Sequence, residues 1–165
     1  MVSLEHVPKY SELNEYYGNP DLDDDLKFDK IWWDNKTATF DLPFPLVASW
    51  NPARKIKTLR LHIKVGHAVV DALAEVLNVY GGALVANGWN VIGDAINLRA
   101  MASGPLLSTH AWGIAIDLNN HIAGWLDPSG IQPDAIVDAF KKRGFIWGGD
   151  WPACVDMMHF QACRS

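Results

Sequence analysis

A chain of 165 residues with 49% hydrophobic content has the size and apolar share of one compact domain, so a single domain over residues 1–165 is expected. The formal charge of −5, with no cluster of Lys and Arg, argues against nucleic acid as a partner, because phosphate binding needs concentrated positive charge. The opening stretch lacks the basic start and apolar run of a signal peptide, and no segment approaches the roughly 18 apolar residues of a membrane span. A protein made in soluble form in the cytoplasm, without membrane insertion, is therefore expected.

In chain order, residues 1–30 are polar and acidic and read as an irregular arm laid over the domain. Asp21, Asp23 and Asp25 have the spacing that opens a calcium loop. Leu26 stands where such a loop needs Gly, and Trp32 where it needs Glu, so a solvated acidic turn is the better reading. From Ile31 to Leu46, Trp32, Trp33, Thr37, Thr39 and Phe40 suggest one or two short strands ended by Pro43 and Pro45. A helix is predicted over 64–80, where Val65, Val69, Ala72, Val76 and Val79 recur at steps of three and four before the Gly81-Gly82 stop. Residues 90–92, 112–118 and 155–161 read as strands. Between the last two, Pro133 in a first turn, Asp134 and Asp138, then Lys141, Lys142, Arg143 and Gly144 mark a second helix. Cys154 and Cys163, nine residues apart, match no paired-cysteine motif and read as buried thiols; a disulfide is the alternative in an oxidising compartment. His6, His62, His67 and His121 lack a polar context and read as surface or half-buried residues.

Three segments set ionisable groups among apolar neighbours: Ser108 to Asp117 (STHAWGIAID), Trp147 to Trp151 (WGGDW) and Asp156 to Phe160 (DMMHF). Burying such groups without partners costs several kcal/mol, on the order expected for desolvation, so they should pair with one another or with a cation. Two neutral imidazoles and one carboxylate suit zinc and leave a fourth tetrahedral position for water. That count selects His110, Asp117 and His159 as ligands and leaves Asp156 free to handle protons. Spacing alone is ambiguous: 110 with 117, and 156 with 159, would share a helix face, whereas an unbroken strand would turn each pair apart. Gly113, Ile114 and Ile116 disfavour a helix, so His110 is expected on a loop or bulge entering a strand that ends near Asp117, with Asp156 at a loop edge before a strand carrying His159.

Ser108, His110, Gly113, Ala115 and Asp117 form an SxHxxGxAxD pattern that, with the later GGDW and DxMHF, resembles the zinc D-alanyl-D-alanine carboxypeptidase and L-alanyl-D-glutamate endopeptidase family. That family includes VanY-like enzymes and phage endolysins. The resemblance covers 91–161. It implies an α+β fold of the hedgehog/DD-peptidase kind, a small antiparallel sheet cradling zinc and flanked by helices. It further implies Asp156 as general base, a fourth metal ligand or a partner of a metal-bound imidazole being the alternatives, and Arg99 as a contact to the scissile carbonyl. The implied function is zinc-dependent hydrolysis in the peptidoglycan stem peptide, by an L-alanyl-D-glutamate endopeptidase released as a monomeric endolysin to act on the wall. D-Ala-D-Ala carboxypeptidase or dipeptidase activity, and a non-catalytic zinc-binding phage structural protein, are the alternatives. Trp112, Trp147 and Trp151 either line the substrate cleft or belong to the core. Asp150 is a partner for a metal-bound imidazole or a turn residue. With Ser108 these complete the candidate substrate-binding set.

Overall fold

The computed structural model describes residues 1–102, 104–127 and 129–164. The architecture is α+β: a six-stranded sheet in the order β2-β1-β3-β4-β6-β5, flanked by helices. Its strands are β1 (Thr37–Ala48), β2 (Asn51–His62), β3 (Val91–Asp94), β4 (Ala115–Leu118), β5 (Ile146–Trp147) and β6 (His159–Gln161). The helices are α1 (Leu13–Tyr17), α2 (Lys30–Lys36), α3 (Gly66–Tyr80), α4 (Ala83–Ala86) and α5 (Asp134–Lys141). All neighbouring strands run antiparallel except β1 and β3, which pair in parallel through Val47 and Ala48, so the sheet is mixed.

Helix α3 follows its three- and four-residue apolar period and buries Ala68, Val69, Ala72, Leu73 and Val76 against β1 and α5. Helix α5 buries Ile136, Val137, Ala139 and Phe140; Pro133 is its cap residue rather than part of its first turn. The helices are tied by Arg143, whose side chain is 3% exposed and bonds Asp71 and Glu75 of α3. Phe140 reaches the sheet, its ring 4.6 Å from that of Phe160.

The arm does more than cover the domain. Leu13 and Tyr17 are each 1% exposed, and the Tyr17 hydroxyl donates to the Ala162 carbonyl at 2.9 Å. An amphipathic single turn too short to show a period accounts for the difference. Asp21 is likewise buried, its carboxylate accepting from the backbone of Asp25 and Leu26, while Asp23, Asp24 and Asp25 face solvent. Trp32 and Trp33 belong to α2, capped by the Asp29 side chain, instead of to a strand. Pro43 and Pro45 do not end β1. Between Asp41 and Leu46 that strand advances three residues more than its partner, and both prolines fall in this bulge, where no ladder donor is needed. Strand β2, absent from the sequence reading, carries the alternation Ile56, Thr58 and Arg60 against Lys57, Leu59 and Leu61, of which only Leu59 and Leu61 are buried.

His62 is fully buried, contrary to its expected surface or half-buried position: one ring nitrogen lies 3.1 Å from the Tyr17 carbonyl and the other accepts from the Lys64 amide. His6, His67 and His121 are exposed as expected. The cysteines are free; Cys163 is buried but Cys154 is exposed on the loop before Asp156.

Candidate metal centre

The strand register creates the site. Asp117 of β4 pairs directly with His159 of β6, and the two-residue alternation turns both away from Ile116 and Phe160, which face α5. His110 comes from a 3-10 turn, Thr109–Trp112, that leads into β4. Ser108 caps this turn, its hydroxyl accepting from the His110 amide at 3.4 Å, and Gly113 closes it at φ +64°. A side chain at Gly113 would be strained twice over, since a Cβ there would sit 2.9 Å from Ile96 and 3.0 Å from the His62 amide. The loop-and-strand arrangement expected for these residues is thus present.

His110, Asp117 and His159 are buried, and one ligand atom from each lies within 4.8 Å of the others. The hydrogen bonds around them decide which nitrogen each imidazole offers. His110 Nδ1 donates to the Ala95 carbonyl at 3.0 Å, which leaves Nε2 bare. That nitrogen is buried without a hydrogen bond and lies 3.2 Å from Asp117 Oδ1. The Gln161 amide donates to the Cys163 carbonyl at 2.8 Å, so its oxygen faces His159 Nε2, 3.0 Å away, and accepts the proton there. His159 Nδ1 is then bare as well, 2.8 Å from the same Asp117 Oδ1.

Two imidazole lone pairs aimed at one carboxylate oxygen repel it unless a cation or a proton lies between them. Both rings have their far N–H held by a carbonyl, as metal-bound histidines do. The donor set therefore fits a divalent metal of the zinc type. Charge coupling is strong. Burial acts to raise the Asp117 pKa, but the two imidazoles reverse this and hold the carboxyl well below the usual range. For His110, burial lowers the pKa and the Asp117 carboxylate more than offsets it, so the ring sits above its ordinary value.

Asp156 lies beside this cluster. Its amide donates to the Gly148 carbonyl at 3.0 Å, and the two backbones approach so closely that a Cβ on Gly148 would fall 2.4 Å from the Asp156 carbonyl oxygen. Its Oδ1 is buried with no hydrogen-bond partner. Burial pushes the carboxyl pKa up to about 6, opposed by His159 and aided by Asp117.

A cavity of about 300 Å³ opens over these groups, with Arg99, Ser108, Trp125, Trp151 and Met158 in its walls. Arg99 pairs with Asp94 at 3.4 Å. Of the tryptophans expected at the cleft, Trp151 is there, its ring 5.5 Å from that of His159. Trp112 is in the core, 3% exposed, with its N–H donated to the Gly18 carbonyl. Trp147 pairs with Phe160 across β5 and β6, so alternation turns it to the helix side, where Lys141 sits over its ring. Asp150 is paired with Lys141 at 2.7 Å, and no imidazole of the cluster bonds it among the described residues.

Several cleft positions are not among the residues expected from the sequence, and Trp125, Thr109 and Gln161 stand out among them. Trp125, 45% exposed at the rim, had no motif around it. Thr109 and Gln161 both lie against His159 Nε2, at 3.4 and 3.0 Å, and Gln161 was legible in principle, standing two residues after His159 on the same strand face.

Residues 102–162 match the family model described as D-alanyl-D-alanine carboxypeptidase. The match supports the resemblance to the zinc DD-peptidase family over a segment that contains His110, Asp117, Asp156 and His159 but not Arg99. No solved structure matches the chain.

Proposed function

We propose that the protein is a zinc metallopeptidase that hydrolyses an amide bond of the peptidoglycan stem peptide, with His110, Asp117 and His159 as the metal ligands. The observation that carries this reading is the convergence of two bare imidazole nitrogens on Asp117 Oδ1, each ring braced from behind by a carbonyl. A zinc ion held there supplies Lewis acidity toward an amide carbonyl and makes water a stronger acid. Asp156 is the proton carrier: its unpartnered Oδ1 takes a proton from the attacking water and returns it to the leaving amine. Arg99, on the cleft wall, donates to the carbonyl oxygen as negative charge develops. Trp151 and Trp125, both in the cavity wall, shield the bound peptide from water.

Within this class, the Asp at position 156 favours an L-alanyl-D-glutamate endopeptidase, and the role proposed for it is that of a phage endolysin. The description of the matching family favours D-Ala-D-Ala carboxypeptidase activity as the second reading. Digestion of defined peptidoglycan, with and without chelator, followed by mass spectrometry separates the two. Endopeptidase cleavage exposes a new D-Glu amino terminus, whereas carboxypeptidase action releases free D-Ala. Zinc-loaded protein that leaves every peptidoglycan chemotype and precursor peptide intact would overturn both, in favour of a non-catalytic zinc-binding protein.

A further inference from the structure

Beyond the metal centre the cleft continues. A second cavity of about 400 Å³ shares Met101, Thr109, Trp151, Cys154 and Gln161 with the first and extends past Trp151 to Tyr10 and Arg164. Its far end is held by the amino-terminal arm: the Tyr10 hydroxyl donates to the Leu107 carbonyl at 2.6 Å, and Arg164 Nε donates to the Val7 carbonyl at 2.8 Å. The walls are mainly apolar, and Arg164 is the one formally charged side chain among the described residues lining it. Asp117 and Asp156, in contrast, line the first cavity.

A peptide lying across the metal centre must continue on both sides of its reacting bond, and a trough with an exposed arginine in its wall selects what continues into it. We propose that this second cavity is the subsite for the portion of the stem peptide beyond the scissile bond, with Arg164 recognising a carboxylate on it. The assignment rests on the peptidase reading and narrows it. A carboxylate in an apolar trough gains a charge-assisted hydrogen bond to a guanidinium, while a carboxamide in the same place gains much less. The preferred substrates are therefore acidic stem peptides, in which D-Glu keeps its free α-carboxyl or the chain ends in a free acid, over amidated ones. It also gives the arm a function: by fixing Tyr10 and Arg164 it completes the cleft.

The test is binding, which needs no turnover. The probes are product-like peptides beginning at D-Glu, prepared with D-Glu or D-isoglutamine and with a free or amidated carboxyl terminus, titrated calorimetrically into the zinc-loaded protein. The native protein should bind an acid form about two- to fivefold more tightly than its amide counterpart, as suits an exposed guanidinium, and Arg164→Gln should abolish that preference. The acid and amide series show which of the two carboxylates is read. Ala153→Trp, at an exposed position on the trough wall, should weaken all the peptides while retaining full zinc content. Equal affinity of the native protein for acid and amide forms, or a preference undiminished in Arg164→Gln, overturns the subsite. Failure to cut peptidoglycan would instead strike the peptidase reading, and the two results are scored separately.

Discussion

At residue scale, the proposed function assigns His110, Asp117 and His159 to the metal and Asp156 to proton transfer, and substitution distinguishes the two roles. His159 faces Asp117 through Nδ1 while its other nitrogen is held by Gln161. His159→Ala leaves two ligands, so zinc measured by elemental analysis should fall to trace levels together with activity. Asp156 has a different expectation: Asp156→Ala keeps all three cluster residues and should retain stoichiometric zinc while losing roughly a hundred- to ten-thousandfold in rate, the range of a general acid-base group. Normal turnover in Asp156→Ala, or full zinc in His159→Ala, would remove the residue from its role. The identities of these four residues were legible because ionisable side chains among Ile, Ala and Met need a compensating partner. Which nitrogen each imidazole offers was not legible, since it depends on Ala95 and Gln161 and on the strand register that presents them.

At the scale of elements, two contacts that join separate segments make testable contributions. His62, at the end of β2, is buried against Tyr17 of α1, and burial lowers its pKa to about 4 from 6.5. The unfolded chain then takes up a proton as pH falls through about 6.5, while the folded chain resists until about 4. The stability that neutral His62 contributes is complete above about pH 6.5 and is lost between 6.5 and 4. Urea midpoints across this window should decline with falling pH in the native protein and less steeply in His62→Gln. Equal slopes would show that other groups govern the acid side. Arg143 joins α5 to α3 from a 3% exposed position to carboxylates that are 30% and 32% exposed, and Arg143→Ala should cost on the order of 1–2 kcal/mol in urea denaturation, in line with losing charge-assisted hydrogen bonds whose carboxylate partners still reach water. Helices α3 and α5 could be read from their period and caps. The departures arose where local preference was overridden: Trp32 and Trp33 suit a strand, but the Asp29 cap and the packing of Trp32 against Phe28 and His62 hold them in a helix.

At the scale of the whole molecule, the three candidate ligands come from a 3-10 turn and from strands β4 and β6, which only the folded chain brings together, so metal binding and folding should be linked. Free zinc at a hundred times its dissociation constant should add about 2.7 kcal/mol to stability. For a chain of this size that raises the melting temperature by roughly 5–10 °C in calorimetry. The increment should vanish with chelator and be absent in His159→Ala; identical melting with and without zinc would uncouple the cluster from the metal. The α+β fold was implied by the family resemblance that SxHxxGxAxD, GGDW and DxMHF carry, while helical period and caps marked the two principal helices and the cost of burying charge pointed to the cluster of two imidazoles and a carboxylate. These properties follow from residue type and local spacing. Tertiary structure alone decided that Trp147 and Asp150 face the helix side while Trp125 faces the cleft, that β2 and the short α1 belong to the domain, and that Arg164 stands in the trough wall. Those outcomes depend on register and on contacts between segments as far apart as Val7 and Arg164, where no local pattern in the chain distinguishes one side of a sheet from the other.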